Sequence, residues 1–224
     1  AAVGVHFHAA ADMAEEVVAG ITAAGGRAVA IKADIRDRSE AAAMVAATVK
    51  AFGPLDILVN NARQLGVKKK FADLVWADYE SQLDVIVKGA FHCSQAALPS
   101  MTGGGGRIIN MLSTVIEEPN WRWHTYGAAK GALWQMTRHL AAEMGPHNIT
   151  VNCFVPSGDS FAYKQYVNMN PGIDKIINAT IPMRRMGDCE IDIAGGLLGL
   201  VSENGRFITG QTIYIDGGTW MVKP

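Results

Sequence analysis

Short apolar segments alternate with longer amphipathic segments along the whole chain. The apolar segments are rich in β-branched residues, and glycine, proline or polar residues flank them, which is typical of strands. We predict strands at residues 3–7, 28–32, 57–59, 108–112, 149–155 and 212–215. Because these segments are apolar nearly throughout, we expect both faces of their sheet to be covered.

The amphipathic segments between the strands predict helices. One helix begins at Asp37, a typical N-cap residue with Glu40 three positions on as its capping-box partner. Longer helices are predicted over residues 76–101 and 126–144. Strands that alternate with helices pair in parallel through right-handed crossovers. The pattern therefore predicts an α/β fold, with one doubly wound Rossmann-type parallel sheet and helices on both faces, in a single domain over residues 1–224.

Composition and charge narrow the range of functions. The 224 residues are 49% hydrophobic and 18% charged, with a formal net charge of −1. This balance argues against nucleic acid as a partner, and no apolar run approaches the roughly 18 residues of a membrane-spanning helix. The three cysteines match neither a disulfide framework nor a zinc site, so we predict no metal. Since no signal-peptide pattern opens the chain, we expect a cytoplasmic location.

Tyr126 and Lys130 form the first candidate chemical pair. They are four residues apart in a predicted helix and therefore share one face. Tyrosine has an ordinary pKa of about 10, and a neighbouring ammonium lowers that pKa. Tyr126 is thus a candidate proton donor or acceptor. On the spacing alone, an ordinary pair on a helix surface is the favoured interpretation.

Ser113 is the second candidate. It directly follows the predicted strand at residues 108–112. Ligands of doubly wound sheets bind beyond the carboxyl ends of the strands, so Ser113 lies where a site is expected. Its hydroxyl can hydrogen-bond a substrate carbonyl. In isolation, an ordinary loop serine is the favoured interpretation.

The order and spacing of several motifs resemble the classical short-chain dehydrogenase/reductase family over essentially the whole chain. The resemblance implies an oxidoreductase that transfers a hydride between NAD(P)(H) and a carbonyl or secondary alcohol carbon. An enoyl reductase of this superfamily would have a wider spacing between its tyrosine and lysine. The matching segments are Ala33-Asp34, Asn60-Asn61-Ala62, Ser113, Tyr126-Gly127-Ala128-Ala129-Lys130, Ile149-Thr150-Val151-Asn152, Ile181-Pro182, Ile208-Thr209-Gly210-Gln211 and Asp216-Gly217-Gly218.

The resemblance also implies roles for single residues. Ser113, Tyr126 and Lys130 would be catalytic: Tyr126 as general acid and base, Lys130 lowering the pKa of the phenol and binding the nicotinamide ribose, and Ser113 holding the substrate oxygen. The hydroxyl groups of Ser113 and Tyr126 would then stabilise the charge that develops on one oxygen. Besides Tyr126 and Lys130, the implied cofactor-binding residues are Asp34, Ile35, Asn60, Ala62, Pro156 and Ser157.

The substrate pocket and the partners are implied in the same way. The pocket would be lined by Val115, Trp121, Trp123 and, from the lid segment, Phe161. The two indoles fit a ring or alkyl substrate, and subunit contact or loop packing explains them equally well. The family pairs its two long helices across two-fold axes, so we expect a homotetramer or homodimer.

Departures from the family pattern bear on function. The family's first strand and glycine-rich phosphate turn have no counterpart here, which implies that roughly 25 to 30 upstream residues are absent. Arg63 stands in place of a glycine and either meets a phosphate or acidic substrate or points to solvent. Ile86 stands at the position of a proton-relay asparagine, and Ser157 at that of a glycine after Pro156.

The cofactor preference and the main alternative follow from these departures. No acid follows the strand at residues 3–7 before Asp12, where NAD-preferring relatives carry one for the ribose hydroxyl. This favours NADP, with NAD as the alternative. The missing turn, Arg63 and Ile86 support a second hypothesis, a non-catalytic binding or scaffold protein with the same fold.

Overall fold

The computed structural model describes residues 1–64, 66–117 and 121–221, with the backbone alone for Trp121. The strands are β1 (Ala2–Phe7), β2 (Arg27–Lys32), β3 (Ile57–Asn60), β4 (Gly106–Met111), β5 (Ile149–Pro156) and β6 (Thr212–Ile215). The α-helices are α1 (Ala11–Ala23), α2 (Arg38–Phe52), α3 (Trp76–Leu83), α4 (Gly89–Met101), α5 (His124–Met144), α6 (Phe161–Met169), α7 (Ile173–Thr180) and α8 (Ala194–Val201).

All strand pairing is parallel, which confirms the predicted α/β architecture. However, the described strands form two sheets: β1 pairs with β2, and β3, β4, β5 and β6 pair in that order. No described strand links β1 to β3, so each keeps one edge without a partner. On β3, Ile57 and Val59 are 37% and 39% exposed. Such edges present unpaired backbone groups, which strands normally have covered.

Two short segments depart from the predicted helix pattern in informative ways. The helix predicted over residues 76–101 contains one π-helical turn, Asp84–Lys88, between α3 and α4. Such turns are rare and often lie near functional sites. Asp37 caps α2 as predicted, but Glu40 does not complete a capping box. Its carboxylate instead accepts a hydrogen bond of 2.7 Å from the backbone N–H of Asp34, which holds the loop after β2.

Apolar clusters join these layers. The largest side chains around β4 and β5, including Ile108 and Phe154, are fully buried. A separate cluster of Ile35, Ala41 and Cys93 packs with Leu58 and so connects the β1–β2 sheet to the four-stranded sheet through α2 and α4. Burial of this apolar surface stabilises the fold and fixes the carboxyl ends of β4 and β5 relative to α5.

Two general features complete the fold. Within the described residues, every helix is too short or too polar to cross a bilayer. In the same residues, no three or more His, Cys, Asp or Glu side chains come together in a way that would hold a metal ion.

Candidate active site

A cavity of about 330 Å³ opens at the carboxyl end of β4, beside the start of α5. Helix α5 begins at His124, two residues before Tyr126, so the tyrosine lies in its first turn. The loop after β3, the segment after β4 and the residues at the start of α5 form its walls. The described lining residues are Arg63, Gln64, Gly66, Ser113, Thr114, Val115, Trp123 and Tyr126.

Ser113 and Tyr126 meet inside this cavity. Ser113 caps a short 3-10 turn, Thr114–Ile116, and its hydroxyl accepts a hydrogen bond from the backbone N–H of Val115 at 3.4 Å. Tyr126 lines the same cavity, and the side chain of Ser113 is one of the groups that lower the pKa of its phenol. Two hydroxyl groups are thus held next to each other on the wall of one cavity, where both can donate to a single oxygen atom.

Lys130 lies beneath Tyr126, one turn further along α5. Its side chain is only 2% exposed, and Nζ donates a hydrogen bond of 2.5 Å to the carbonyl of Met111. The same atom lies 5.6 Å from the centroid of the Tyr126 ring. Burial, and secondarily the cation of Arg63, lower the pKa of Lys130 to about 8. Desolvation disfavours the charged ammonium, which explains the direction.

The pKa of Tyr126 moves in the direction opposite to the one expected from its lysine neighbour. Burial raises this pKa, and its effect outweighs the lowering by the cation of Arg63 and by the hydrogen bond with Ser113. The residue opposing the burial effect by charge is therefore Arg63 rather than Lys130. A phenol with a raised pKa carries its proton at neutral pH, which is the form that a general acid needs.

Asp34 and Ile35, implied as the adenine contacts, both have partners within the chain. The Asp34 carboxylate accepts bidentate hydrogen bonds from Arg36, the shortest 2.6 Å, and this lowers the pKa of Asp34 to about 2. His8 Nε2 lies 3.8 Å from the same carboxylate. The Ile35 side chain is buried, and its carbonyl lies 3.0 Å from His92 Nδ1. Basic groups therefore surround Asp34 at the ends of β1 and β2.

The other implied cofactor residues lie outside the cavity lining. The Asn60 amide donates to Asn110 Oδ1 at 2.8 Å and to Ser94 Oγ at 3.3 Å, so it is used between β3, β4 and α4. Ala62 packs against the apolar cluster of Ile35 and Cys93.

Pro156 and Ser157 stand at the end of β5. The Ser157 backbone bonds to Ile215 and to Gly187. These contacts fix the backbone after β5 to β6 and to the segment before α8, while leaving the Ser157 side chain without a described role.

Two of the residues predicted for the substrate pocket line this cavity. Val115 and Trp123 line the cavity, and the Trp123 ring lies 5.8 Å from the Tyr126 ring. The side chain of Trp121 lies outside the described part of the chain. Phe161 stands at the start of α6, 65% exposed, and is not among the described lining residues of this cavity, so its place in the substrate pocket stays a prediction.

Some lining residues were not predicted at all. Gln64, Gly66 and Thr114 lie on loops, where hydrophobic periodicity carries no signal. Their proximity to Ser113 and to the motif Asn60-Asn61-Ala62 is the only sequence feature that points to them. Ile86, at the relay position, is 2% exposed in the π turn and packs in an apolar cluster with Leu112, so it offers no hydrogen bond to a proton relay.

Comparison with known proteins fits this geometry. A family model described as enoyl-(acyl carrier protein) reductase matches residues 2–219. The chain is 34% identical to a short-chain type dehydrogenase/reductase of Picea abies, over 97% of this chain and 83% of the relative. It is 33% identical to the 3-oxoacyl-[acyl-carrier-protein] reductase FabG of Staphylococcus aureus, over 98% of this chain and 88% of the relative.

Solved structures are similar over the same extent. A 7α-hydroxysteroid dehydrogenase complexed with NADH and 7-oxo glycochenodeoxycholic acid superposes with a TM-score of 0.88 at 33% identity, covering 97% of this chain and 84% of that one. A short chain dehydrogenase from Burkholderia cenocepacia in complex with NADP gives a TM-score of 0.82 at 32% identity, covering 97% and 87%. Sequence motifs, fold and relatives agree, and this chain belongs to the short-chain dehydrogenase/reductase family of oxidoreductases.

Proposed function

We propose that this protein transfers a hydride between NAD(P)(H) and a carbonyl or secondary alcohol carbon, with Tyr126 as general acid and base. The observation that carries the proposal is that Ser113 and Tyr126 line one cavity, with buried Lys130 beneath the phenol ring. Hydride addition to a carbonyl leaves negative charge on its oxygen. Two hydroxyl donors directed at that oxygen stabilise the charge as it develops.

Each residue has a separate task in the reduction. Ser113 donates a hydrogen bond to the substrate oxygen and orients the carbonyl. Tyr126 holds its proton at neutral pH, because burial raises its pKa, and gives that proton to the same oxygen. In alcohol oxidation Tyr126 must first lose the proton, and there the cation of Arg63 and the hydrogen bond from Ser113 favour the phenolate.

The residues at the carboxyl end of β4 fit the nicotinamide half of the cofactor. An ammonium has three N–H donors, and Met111 takes one of those on Lys130, which leaves donors for ribose hydroxyls. Lys130 would hold the ribose, with the backbone at Pro156 and Ser157 beside the ring. When bound, the dinucleotide supplies or accepts the hydride. At the adenine end, Arg36 and His8 beside Asp34 favour a 2′-phosphate, so NADP is the proposed cofactor, with NAD as the alternative.

The reaction class is proposed as carbonyl reduction rather than enoyl reduction. The matching family model bears the enoyl-reductase description, while the relatives from Picea abies and Staphylococcus aureus are a short-chain dehydrogenase/reductase and a 3-oxoacyl reductase. Tyr126 and Lys130 are four residues apart on α5. An enoyl reductase of this superfamily would have a wider spacing between its tyrosine and lysine.

The same family membership leads us to propose a homotetramer or homodimer. Large apolar side chains on α3 and α4 are exposed in the single chain, namely Trp76 at 66% and Phe91 at 45%. Burying such side chains in an interface is favourable. Light scattering should give a mass of two or four protomers, and a mass of one protomer would contradict this.

The proposal is tested by replacing the reacting group alone. Tyr126→Phe keeps the ring and its packing but removes the hydroxyl, so the turnover of NADPH with a panel of ketones should fall by about 10² to 10⁴. Tyr79→Phe, on α3 beside Trp76, is the matched control and should retain activity. Circular dichroism and thermal unfolding establish that both variants fold. Full activity in Tyr126→Phe would reject Tyr126 as the general acid. Absence of turnover, together with no binding of NADPH or NADH to the wild type at millimolar concentration, would favour the non-catalytic alternative.

A further inference from the structure

Arg63 lies in the same cavity as Ser113 and Tyr126. We infer that its guanidinium binds a carboxylate on the substrate, so that the preferred substrates are carbonyl compounds that carry an acid group. This inference rests on the proposed function, because it assigns the substrate class of the same site. Arginine is well suited to the task, since its planar fork matches a carboxylate with two parallel hydrogen bonds.

Among the described residues, no counterion of the Arg63 guanidinium is found. Across the described residues, no acidic side chain lies within ion-pair distance of Arg63, and the described cavity lining contains no Asp or Glu. Glu117 lies two residues after the lining residue Val115, and its carboxylate accepts a hydrogen bond of 3.1 Å from the Tyr214 hydroxyl. An uncompensated cation on a cavity wall attracts an anionic ligand.

A second cation contacts one of the residues that line the cavity. The ammonium of Lys68 lies 5.1 Å from the centroid of the Trp123 ring, although Lys68 is not itself a lining residue. The cavity therefore combines two hydroxyl donors, an aromatic wall and one basic side chain, Arg63. This combination fits a molecule with a carbonyl, an apolar body and an anionic group.

The charge of Arg63 also reaches the reacting groups. It lowers the pKa of both Tyr126 and Lys130. Because Arg63, Ser113 and Tyr126 line one cavity, a ligand bound by Arg63 there would lie in the same cavity as the two hydroxyl groups. An anion paired with Arg63 would offset its charge, so substrate binding and the proton affinity of the phenol are coupled.

The competing source of an anionic group is the cofactor. A dinucleotide phosphate offers the same chemistry to a guanidinium. Arg63 shares its cavity with Val115 and Trp123, on the proposed substrate side. The implied cofactor residues Asn60, Ala62, Pro156 and Ser157 are not part of the wall. This favours the substrate as the source.

The test compares acids with their own esters. Levulinate with methyl levulinate, and 4-acetylbenzoate with methyl 4-acetylbenzoate, present one ketone with and without a charge at two different lengths. The kcat/KM ratio of acid to ester is measured for the wild type, Arg63→Gln and Arg63→Lys, with Arg206→Gln as a control at an exposed arginine outside the cavity. Any effect of Arg63 on Tyr126 enters both members of a pair and largely cancels from the ratio.

We expect the wild type to prefer at least one acid over its ester, and Arg63→Gln to reduce this ratio about tenfold or more, as the loss of a charged hydrogen-bonded pair implies. Arg63→Lys should retain part of the preference, and Arg206→Gln all of it. An acid-to-ester ratio that is the same in the wild type and Arg63→Gln for both pairs would overturn the inference.

Direct binding separates the remaining outcomes. Calorimetric titration with the two acids and their esters needs no turnover, so it tests Arg63 even if the proposed reaction fails: tighter binding of an acid than of its ester that disappears in Arg63→Gln supports the inference, and equal binding overturns it. Fluorescence titration with NADPH and NADH is the second arm. A loss of affinity for both dinucleotides in Arg63→Gln, with the acid-to-ester ratio intact, would assign Arg63 to the cofactor and reject the substrate carboxylate.

Discussion

The ammonium of Lys130 lies 5.6 Å from the centroid of the Tyr126 ring while its own hydrogen bond goes to the backbone of Met111. The two residues are therefore stacked along α5 without sharing a proton directly. Lys130 is buried and Tyr126 partly buried, and burial lowers the pKa of Lys130 and raises that of Tyr126. Burial thus favours the neutral phenol of Tyr126 and the neutral amine of Lys130.

This burial predicts a pH-dependent stability. The pKa of Lys130 falls from 10.5 to about 8 on folding, so the unfolded chain binds more protons between these values. Stability should therefore rise as pH increases through 8, by up to about 3 kcal/mol in total at full deprotonation. Lys130→Met should remove this rise, and urea unfolding at pH 7, 8 and 9.5 measures it.

The exposed Lys50→Met on α2 is the control for that measurement and should leave the pH profile unchanged. If Lys130→Met and the wild type gain the same stability between pH 7 and 9.5, the assignment of the effect to Lys130 is rejected.

Ser113→Ala should affect both the rate and the pH profile. The hydrogen bond from Ser113 lowers the pKa of Tyr126, so its loss raises that pKa further. Alcohol oxidation needs the phenolate, and its rising limb should move to higher pH, while kcat falls by about 10² to 10³. Ser113→Thr keeps a hydroxyl and should recover much of the rate. Steady-state rates from pH 6 to 10 measure both effects.

Ser81→Ala, whose hydroxyl bonds only to the backbone of its own helix, controls for loss of a serine elsewhere. If the rising limb of the pH–rate profile of Ser113→Ala stays at the wild-type pH, Ser113 does not act on the pKa of the Tyr126 phenol.

Arg36 should influence the choice of cofactor. It pairs with Asp34 at the end of β2, and without it the carboxylate would face an incoming 2′-phosphate uncompensated. Arg36→Gln should therefore raise the KM for NADPH severalfold and leave the KM for NADH nearly unchanged. Stability should change by less than about 1 kcal/mol, because the pair is largely exposed. Arg38→Gln, at the exposed start of α2, is the control, and equal changes for both cofactors would exclude this role.

Asn110 should matter for stability at the base of the site. It is fully buried, accepts from Asn60 and donates to Thr137 Oγ1 at 2.8 Å, so it connects β3, β4 and α5. Asn110→Ala leaves both partners without this bond, and the free energy of unfolding should fall by about 2 to 3 kcal/mol. Urea unfolding measures this loss, and the exposed Asn204→Ala should cost less than about 0.5 kcal/mol. If Asn110→Ala left the free energy of unfolding nearly unchanged, the hydrogen bonds that join Asn60, Asn110 and Thr137 would not stabilise the fold.

The elements of this fold could be predicted because their signals are local. Apolar runs and turn residues marked every strand, and the boundaries differed from the structure by one or two residues, as for β4, which runs from Gly106 to Met111. The four-residue spacing of Tyr126 and Lys130 fixes their shared face in any α-helix. Likewise, parallel pairing follows from the alternation of strands and helices.

Distances between segments that are far apart in sequence were decided only by the tertiary structure. The prediction of a lowered phenol pKa considered Lys130 alone, and it failed because burial depends on everything packed around Tyr126. Asn60 was expected in a cofactor cleft, yet a partner fifty positions away holds its amide.

The sequence identified Arg63 as a departure from the family pattern, but it could not show that Arg63 shares a cavity with Ser113 and Tyr126. The sequence by itself determined which residue types are available and which of them share a helix face or a strand end, because local geometry repeats. The tertiary structure decided which of them share a cavity, a charge or a desolvated environment, because those properties depend on contacts between segments that no local pattern records.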